Sequence, residues 1–316
     1  MKSVLPTLAA GLLFAMSVPA HAAETGDSES AKVERWRTAM QSARWTGPLL
    51  ASNANTLPQG HFYTEPYFYD VITGGKHFPG TSGYYQYGLF DNFTIGIQPS
   101  LAVGTHRANR GMTRGDFKLL SQLRLSNFTP EHRVPSIAIV LQEVLPTGKH
   151  DRLDPLEEGH GSGSYETEIG VNVQHIFLLK NDRLLRARIN VLENFPHGAD
   201  VVDRSVYGTG PGFRGHADAG RKTTLIGAVE YSLTREWVLA FDVIGEFKTK
   251  TTVEGRYANG PLVRQTFPSS RAVGFAPAIE YNWSDRSGVI AGVWITPKGH
   301  NRPSSAVPAL AYSRFW

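Results

Sequence analysis

From residue 58 to the last residue the sequence keeps returning to a period of two, and that pattern limits the fold more than any other feature. The clearest run sets Trp237, Leu239, Phe241, Val243, Gly245 and Phe247 against Val238, Ala240, Asp242, Ile244, Glu246 and Lys248. The next sets Val273, Phe275, Pro277, Ile279, Tyr281 and Trp283 against Ala272, Gly274, Ala276, Ala278, Glu280 and Asn282. Each is a strand with one apolar face and one small or polar face. Twelve such runs fall at 58–69, 82–90, 93–104, 115–126, 134–145, 164–178, 184–195, 221–233, 236–248, 271–283, 287–297 and 305–316. Their connections alternate in length. Short ones at Asp91-Asn92, 127–133, 179–183, Thr234-Arg235 and 284–286 consist of turn-forming residues. Long ones cover 70–81, 105–114, 146–163, 196–220, 249–270 and 298–304. A sandwich has no reason to alternate in this way. A membrane barrel does, with short turns on one side, long loops on the other and both termini on the periplasmic side.

Both ends of the chain fit that reading. Lys2, the apolar stretch Leu8 to Val18 and Ala20-His21-Ala22 form a secretory signal, so the mature chain is expected to start at Ala23. No later segment has the run of about 18 apolar residues that a spanning helix needs. A spanning chain must then be a closed barrel, since lipid offers its backbone no hydrogen-bond partner. The chain stops on Ala309-Leu310-Ala311-Tyr312-Ser313-Arg314-Phe315-Trp316, an alternating strand closed by an aromatic. Such a strand is expected to seal the sheet and engage the barrel-assembly machinery. Phe62, Phe93, Phe177, Tyr231, Trp237, Trp283 and Trp316 all fall at the short-turn ends, as an interfacial girdle would. Cysteine is absent, which removes disulfides, thiol chemistry and cysteine–metal sites. The net charge of +4 drops to +3 without Lys2 and is evenly spread, so nucleic acid is not an expected partner.

Residues 23–56 differ from the rest. Val33, Trp36, Met40 and Ala43 share one face at helical spacing, so a short amphipathic helix over 30–43 is expected, followed by a Gly/Pro/Asn-rich linker. The helix is expected either to be a periplasmic leader or to partly plug the barrel mouth through Val33, Trp36 and Met40, with Trp36 as the anchor.

Three short motifs carry a resemblance. Leu57-Pro58-Gln59-Gly60-His61 with Glu65-Pro66-Tyr67, Gly88-Leu89-Phe90-Asp91-Asn92-Phe93 with Gly96, and Leu145-Pro146-Thr147-Gly148 resemble the outer-membrane channel family labelled MetA-pathway of phenol degradation. The similarity runs from about Thr56 to the C-terminus. It implies an outer-membrane channel and hints at aromatic or hydrophobic solutes. Arg314 departs from the apolar or aromatic residue usual two before the end of such chains, although arginine can snorkel to the interface there.

Chemistry-bearing motifs are weak by comparison. Gly210-Pro211-Gly212-Phe213-Arg214-Gly215 matches a dinucleotide fingerprint but has no strand–turn–helix context, and its proline blocks the turn. Gly159 to Ser164 places His160 beside serine without forming a nucleophile elbow. An acyl-modifying enzyme would need serine, histidine and an orienting group at one height. The candidates His160, His175, His197 and His216 are scattered, and only His175 lies in a strand, with outward parity. The acidic stretch 151–158 lacks regular ligand spacing for a cation and reads as a solvated loop near lipopolysaccharide.

The inward-parity residues say more. Glu65, Gln98, Lys118, Gln122, Arg124, Glu166, Glu168, Asn172, Gln174, Arg186, Arg188, Asn190, Glu230, Asp242, Glu246, Lys248, Glu280 and Asn282 alternate with apolar positions. Glu65, Gln98, Lys118, Arg124, Glu168, Arg186, Arg188, Glu230, Asp242, Glu246 and Glu280 are the expected pore-lining set, or else the salt-bridged filling of a closed barrel. Eight strands enclose only side chains and sixteen enclose a channel, so twelve should leave a narrow, easily blocked pore. The sequence thus predicts an all-β, transmembrane up-and-down antiparallel barrel over 57–316. It is expected to pass small solutes passively without cofactor, metal or catalytic residue, in contact with outer-membrane lipid and lipopolysaccharide. The alternative is a closed barrel acting through its outer loops.

Overall fold

The computed structural model describes residues 28–103, 111–155, 157–258 and 260–316; the expected signal peptide at 1–22 lies outside them. In chain order the elements are α1 (Glu29–Gln41), β1 (Phe62–Thr73), β2 (Lys76–Phe90), β3 (Phe93–Gln98), β4 (Ser100–Val103), β5 (Met112–Arg114), β6 (Phe117–Ser126), β7 (Ser136–Leu145), β8 (Glu166–Leu178), β9 (Leu184–Pro196), β10 (Ala199–Val202), β11 (Phe213–Asp218), β12 (Lys222–Ser232), β13 (Trp237–Lys248), β14 (Thr251–Tyr257), β15 (Leu262–Phe267), β16 (Ser270–Ser284), β17 (Ser287–Thr296) and β18 (Ser305–Phe315).

Twelve staves close a ring in which every neighbour is antiparallel: β1, β2, β3 with β4, β6, β7, β8, β9, β12, β13, β16, β17 and β18. The last strand seals it against the first, from Tyr63 opposite Phe315 to Thr73 opposite Ser305. Closure leaves no unpaired edge for lipid to strand, so a chain with no spanning helix among its described residues can still cross a membrane. The outer face is apolar: Ile169, Val171, Ile189, Val191, Leu239, Phe241, Val243, Phe275 and Ile279 all stand exposed. Aromatics ring the short-turn rim, where Trp237 packs on Tyr281 at 4.6 Å and Trp283 stacks on Tyr312 at 6.0 Å between centroids. Arg314, the odd residue of the terminal strand, lays its guanidinium over the Trp316 ring at 4.4 Å, a cation–π contact.

Several expected loops are not loops. The 70–81 segment is continuous hairpin, because Gly74 and Gly75 both take positive φ (56° and 73°) and make a tight two-residue turn. Asp70 and Pro79 sit opposite each other in the ladder. The single strand expected over 93–104 is divided at Pro99, which has no N–H to donate. The long segments 196–220 and 249–270 build a four-stranded sheet, β10-β11-β14-β15, around Val201, Phe213, Ala217 and Val253. Its strands are too short for their period to stand out, and Gly215 opposite Gly255 brings two backbones close.

Helix α1 begins at Ser28, whose hydroxyl accepts from the Ala31 N–H. Its apolar face lies on the short-turn rim: Trp36 is 5.3 Å from Phe128 between centroids, and Ala39 and Ala43 pack with Ile176 and Leu184. Rim ion pairs surround that contact, Arg35 with Asp182, Arg37 with Glu131, and Arg133 with Glu29.

Candidate functional site

Beyond α1 the chain turns into the barrel. Arg44 marks the entry. Its N–H bonds the Arg235 carbonyl at 3.0 Å and its guanidinium bonds Asp285 at 2.6 Å, both on short turns. That hydrogen bond holds the Asp285 carboxyl below the usual aspartate range. Residues 45–57 then run through the lumen without secondary structure and leave at the β2–β3 turn, where the Thr56 hydroxyl donates to the Asp91 carbonyl at 2.6 Å. We call this stretch the strap.

An extended segment inside a barrel exposes a backbone whose donors and acceptors must all be met. Side chains of the barrel wall meet many of them. Glu280 accepts from Thr46 N (2.7 Å), Thr46 Oγ1 (2.9 Å) and Gly47 N (3.3 Å). Asp242 takes Leu49 N at 3.1 Å on one oxygen and Ala51 N at 2.9 Å on the other. Asn190 bonds both the N–H and the carbonyl of Ser52. The carbonyls of Ala51, Asn53 and Asn55 receive Arg188, Asn172 and Gln122, at 2.8, 3.3 and 2.8 Å. Thr94 accepts from Leu57 N at 2.8 Å. Gly47 takes φ 139°, and a side chain there would meet the Arg188 guanidinium. Leu49 and Leu50 anchor the strap sideways against Ile290, Ala311, Tyr67 and Trp294.

The wall's own charges form a buried group. Glu230 ion-pairs with Arg186 and, at 3.1 Å, with Arg188, while Trp45 caps Arg186 with its ring at 4.6 Å. A charge this deep is tolerable only when paired and hydrogen-bonded.

All eleven residues of the expected lining set lie on the inner side, and they divide into distinct roles. Asp242, Glu280 and Arg188 hold the strap. Arg186 and Glu230 pair with each other. Glu246 pairs with Arg302 at 2.7 Å. Arg124 donates to the Asp91 carbonyl at the rim. Glu65 and Gln98 face a cavity of about 680 Å³ between the strap and the wall of β1, β2, β3 and β6. Lys118 and Glu168 sit on the same inner rows as Gln122 and Asn172. Val33, Trp36 and Met40 stand at the rim with α1, and the segment inside the lumen is the strap. Parity alone did not single out Tyr63, Tyr67, Tyr84, Thr94 and Trp294. A tyrosine or tryptophan suits either face of a barrel strand, and only the parity of Glu65 marks Tyr63 and Tyr67 as inward.

The other motifs are structural. His175 is held edge-on between Phe128 and Phe177, at 5.3 and 4.6 Å. His197 bonds Thr167 and His216 bonds Asp200; among the described residues no serine hydroxyl bonds a histidine ring. Asp151 accepts from Val202 N, and Glu157 pairs with Lys149, so the acidic stretch pins its own loop to the four-stranded sheet.

No protein-family model matches the sequence, and no curated protein matches it either. Solved structures do share the fold. An outer-membrane channel from Pseudomonas putida F1 superposes with a TM-score of 0.54 at 12% identity, over 84% of this chain and 98% of that one. The NanC porin follows at 0.48 and 9% identity, over 79% and 98%. The toluene transporter TbuX of Ralstonia pickettii gives 0.37 at 8%, over 86% and 95%. The first of these establishes the barrel architecture.

Proposed function

We propose that this chain is a passive outer-membrane channel for small solutes, with its bore narrowed by the strap. The observation that carries this reading is the cavity of about 680 Å³ beside the strap. It is lined from Trp45 and Phe315 at the short-turn rim to Val71 and Val307 farther up the wall, so the lumen is constricted rather than filled. A solute moving there exchanges part of its hydration for the polar wall. The lining mixes Tyr67, Leu49, Leu120 and Val140 with Gln86 and Gln142, which suits small solutes with an apolar body and a polar group, aromatic compounds among them. In this reading both termini are periplasmic, the outer sheet faces lipopolysaccharide, and the strand ending at Trp316 engages the assembly machinery.

Planar-bilayer recording and liposome swelling with the refolded chain test it. Small, discrete conductance steps and solute-dependent swelling are expected. A folded barrel that gives neither would favour the second reading, a closed barrel acting through its outer loops. The four-stranded sheet raised on those loops is the observation behind that alternative.

A further inference from the structure

One wall of the cavity has a composition that the strap does not use. Residues two apart on a strand share a face, so Tyr63, Glu65 and Tyr67 of β1 all point inward. Tyr84 of β2 lies directly opposite Glu65, as close as any cross-strand pair. The Tyr67 and Tyr84 rings meet edge to face, 79° apart with centroids at 6.2 Å, and Trp294 lines the same cavity. Glu65 therefore sits beside three tyrosines on the cavity wall.

Its carboxyl also lacks an ion-pair partner. Asp242 and Glu280 are committed to strap N–H groups, Glu230 to two arginines and Glu246 to Arg302. Among the described residues no basic side chain lies within ion-pairing distance of Glu65, although it is only 8% exposed; its neighbours are the phenols of Tyr63 and Tyr67. Arg188 also lines the cavity, with its guanidinium turned to Glu230 at 3.1 Å and to the Ala51 carbonyl at 2.8 Å. Aromatic faces carry negative potential and attract a cation strongly once it has lost its water. A buried carboxyl beside tyrosine rings on a cavity wall combines the two groups that attract a substituted ammonium ion.

We propose that the Tyr63–Glu65–Tyr67–Tyr84 wall is a binding site for organic cations of the quaternary-ammonium type. This deepens the channel reading by naming a solute class, and it rests on that reading for its role in transport. Binding itself does not depend on conduction, so the two can fail separately.

The test uses the refolded full chain in detergent and an isosteric pair of probes: choline, and 3,3-dimethyl-1-butanol, in which carbon replaces the charged nitrogen. Calorimetric titration should show choline binding at least about tenfold more tightly than the alcohol, in line with a desolvated cation–π site. Glu65→Gln should erase that preference, and Tyr84→Leu should weaken choline while sparing the alcohol. The heat-modifiable shift of each variant on gels reports its folding. If Glu65→Gln does not fold, Tyr84→Leu decides alone. Equal affinity for the two probes would overturn the proposal, as would a choline preference that survives the folded variants. Tighter binding of glucose than choline would also overturn it, by making the wall a sugar platform. Choline binding without bilayer conductance would keep the site and remove the channel; conductance without choline preference would do the reverse.

Discussion

Removing the Asp242 carboxylate should loosen the strap by a calculable amount. Its two oxygens accept the N–H groups of Leu49 and Ala51, at 3.1 and 2.9 Å, in a buried setting. Hydrogen bonds to a charged group contribute about 1.5–3 kcal/mol each, so Asp242→Ala costs the docked strap at least about 3 kcal/mol. At about 1.4 kcal/mol per factor of ten, the ratio of undocked to docked strap rises by about 150-fold. The barrel should assemble normally, because the β13 ladder is made by backbone groups. Single-channel recording reads the effect as greater occupancy of a wide conductance level. Deleting residues 24–56 provides the reference for a lumen without the strap. If the deletion variant folds and conducts like the wild type, the strap is not the constriction. If deletion widens the channel while Asp242→Ala leaves it unchanged, the carboxylate does not hold the strap as argued.

Two further outcomes are expected. Phe241→Arg or Ile279→Arg places a charge on the lipid face at a cost of about 2–4 kcal/mol, so refolding yield into vesicles should fall, whereas Glu168→Gln on the inner face should leave it unchanged; equal yields would mean that the faces are misassigned. Acid should release the strap's entry: the Asp285 carboxyl is held low by Arg44, so its contribution is complete above the ordinary aspartate value and fades as pH falls below about 4 through the lowered one. Hydrogen exchange at the Arg44 amide, followed from neutral pH downward and corrected for the intrinsic pH dependence of exchange, should show protection lost only in that acid range.

Much of the barrel could be read in advance. Strand parity is a strong signal where a strand has lipid on one face and polar groups on the other, and Trp237 to Lys248 shows it without interruption. The short turns were readable for the same reason that they are short: Asp91-Asn92 and Thr234-Arg235 offer the chain little but a turn. The strap was not readable. Residues 45–57 have no period, and its partners are one segment's backbone N–H and C=O groups, which every sequence possesses. Asp242, Glu280 and Asn190 therefore looked like groups facing solute, when they serve as receptors for the chain itself. The helix drew attention because it is periodic, but Trp36 and Met40 find enough apolar surface in Phe128, Ile176 and Leu184 at the rim to stay there.

The strap is fastened at both ends, by Arg44 at the rim and by the start of β1, and so it behaves as a ligand that cannot diffuse away. Once it lets go, the nearest binding partner for Asp242 and Glu280 is the same strap, present at an effective concentration of order millimolar. Loops of about ten residues re-close in about 10–100 ns, so return is rapid unless something else occupies the vacated groups. The lifetime of an open lumen is then set within one molecule and does not change with protein concentration. A free peptide of the same sequence would compete poorly against the tethered copy. On the channel reading, whatever holds the lumen open must displace that copy from the wall, so occupancy by solute rather than loss of the strap would control passage.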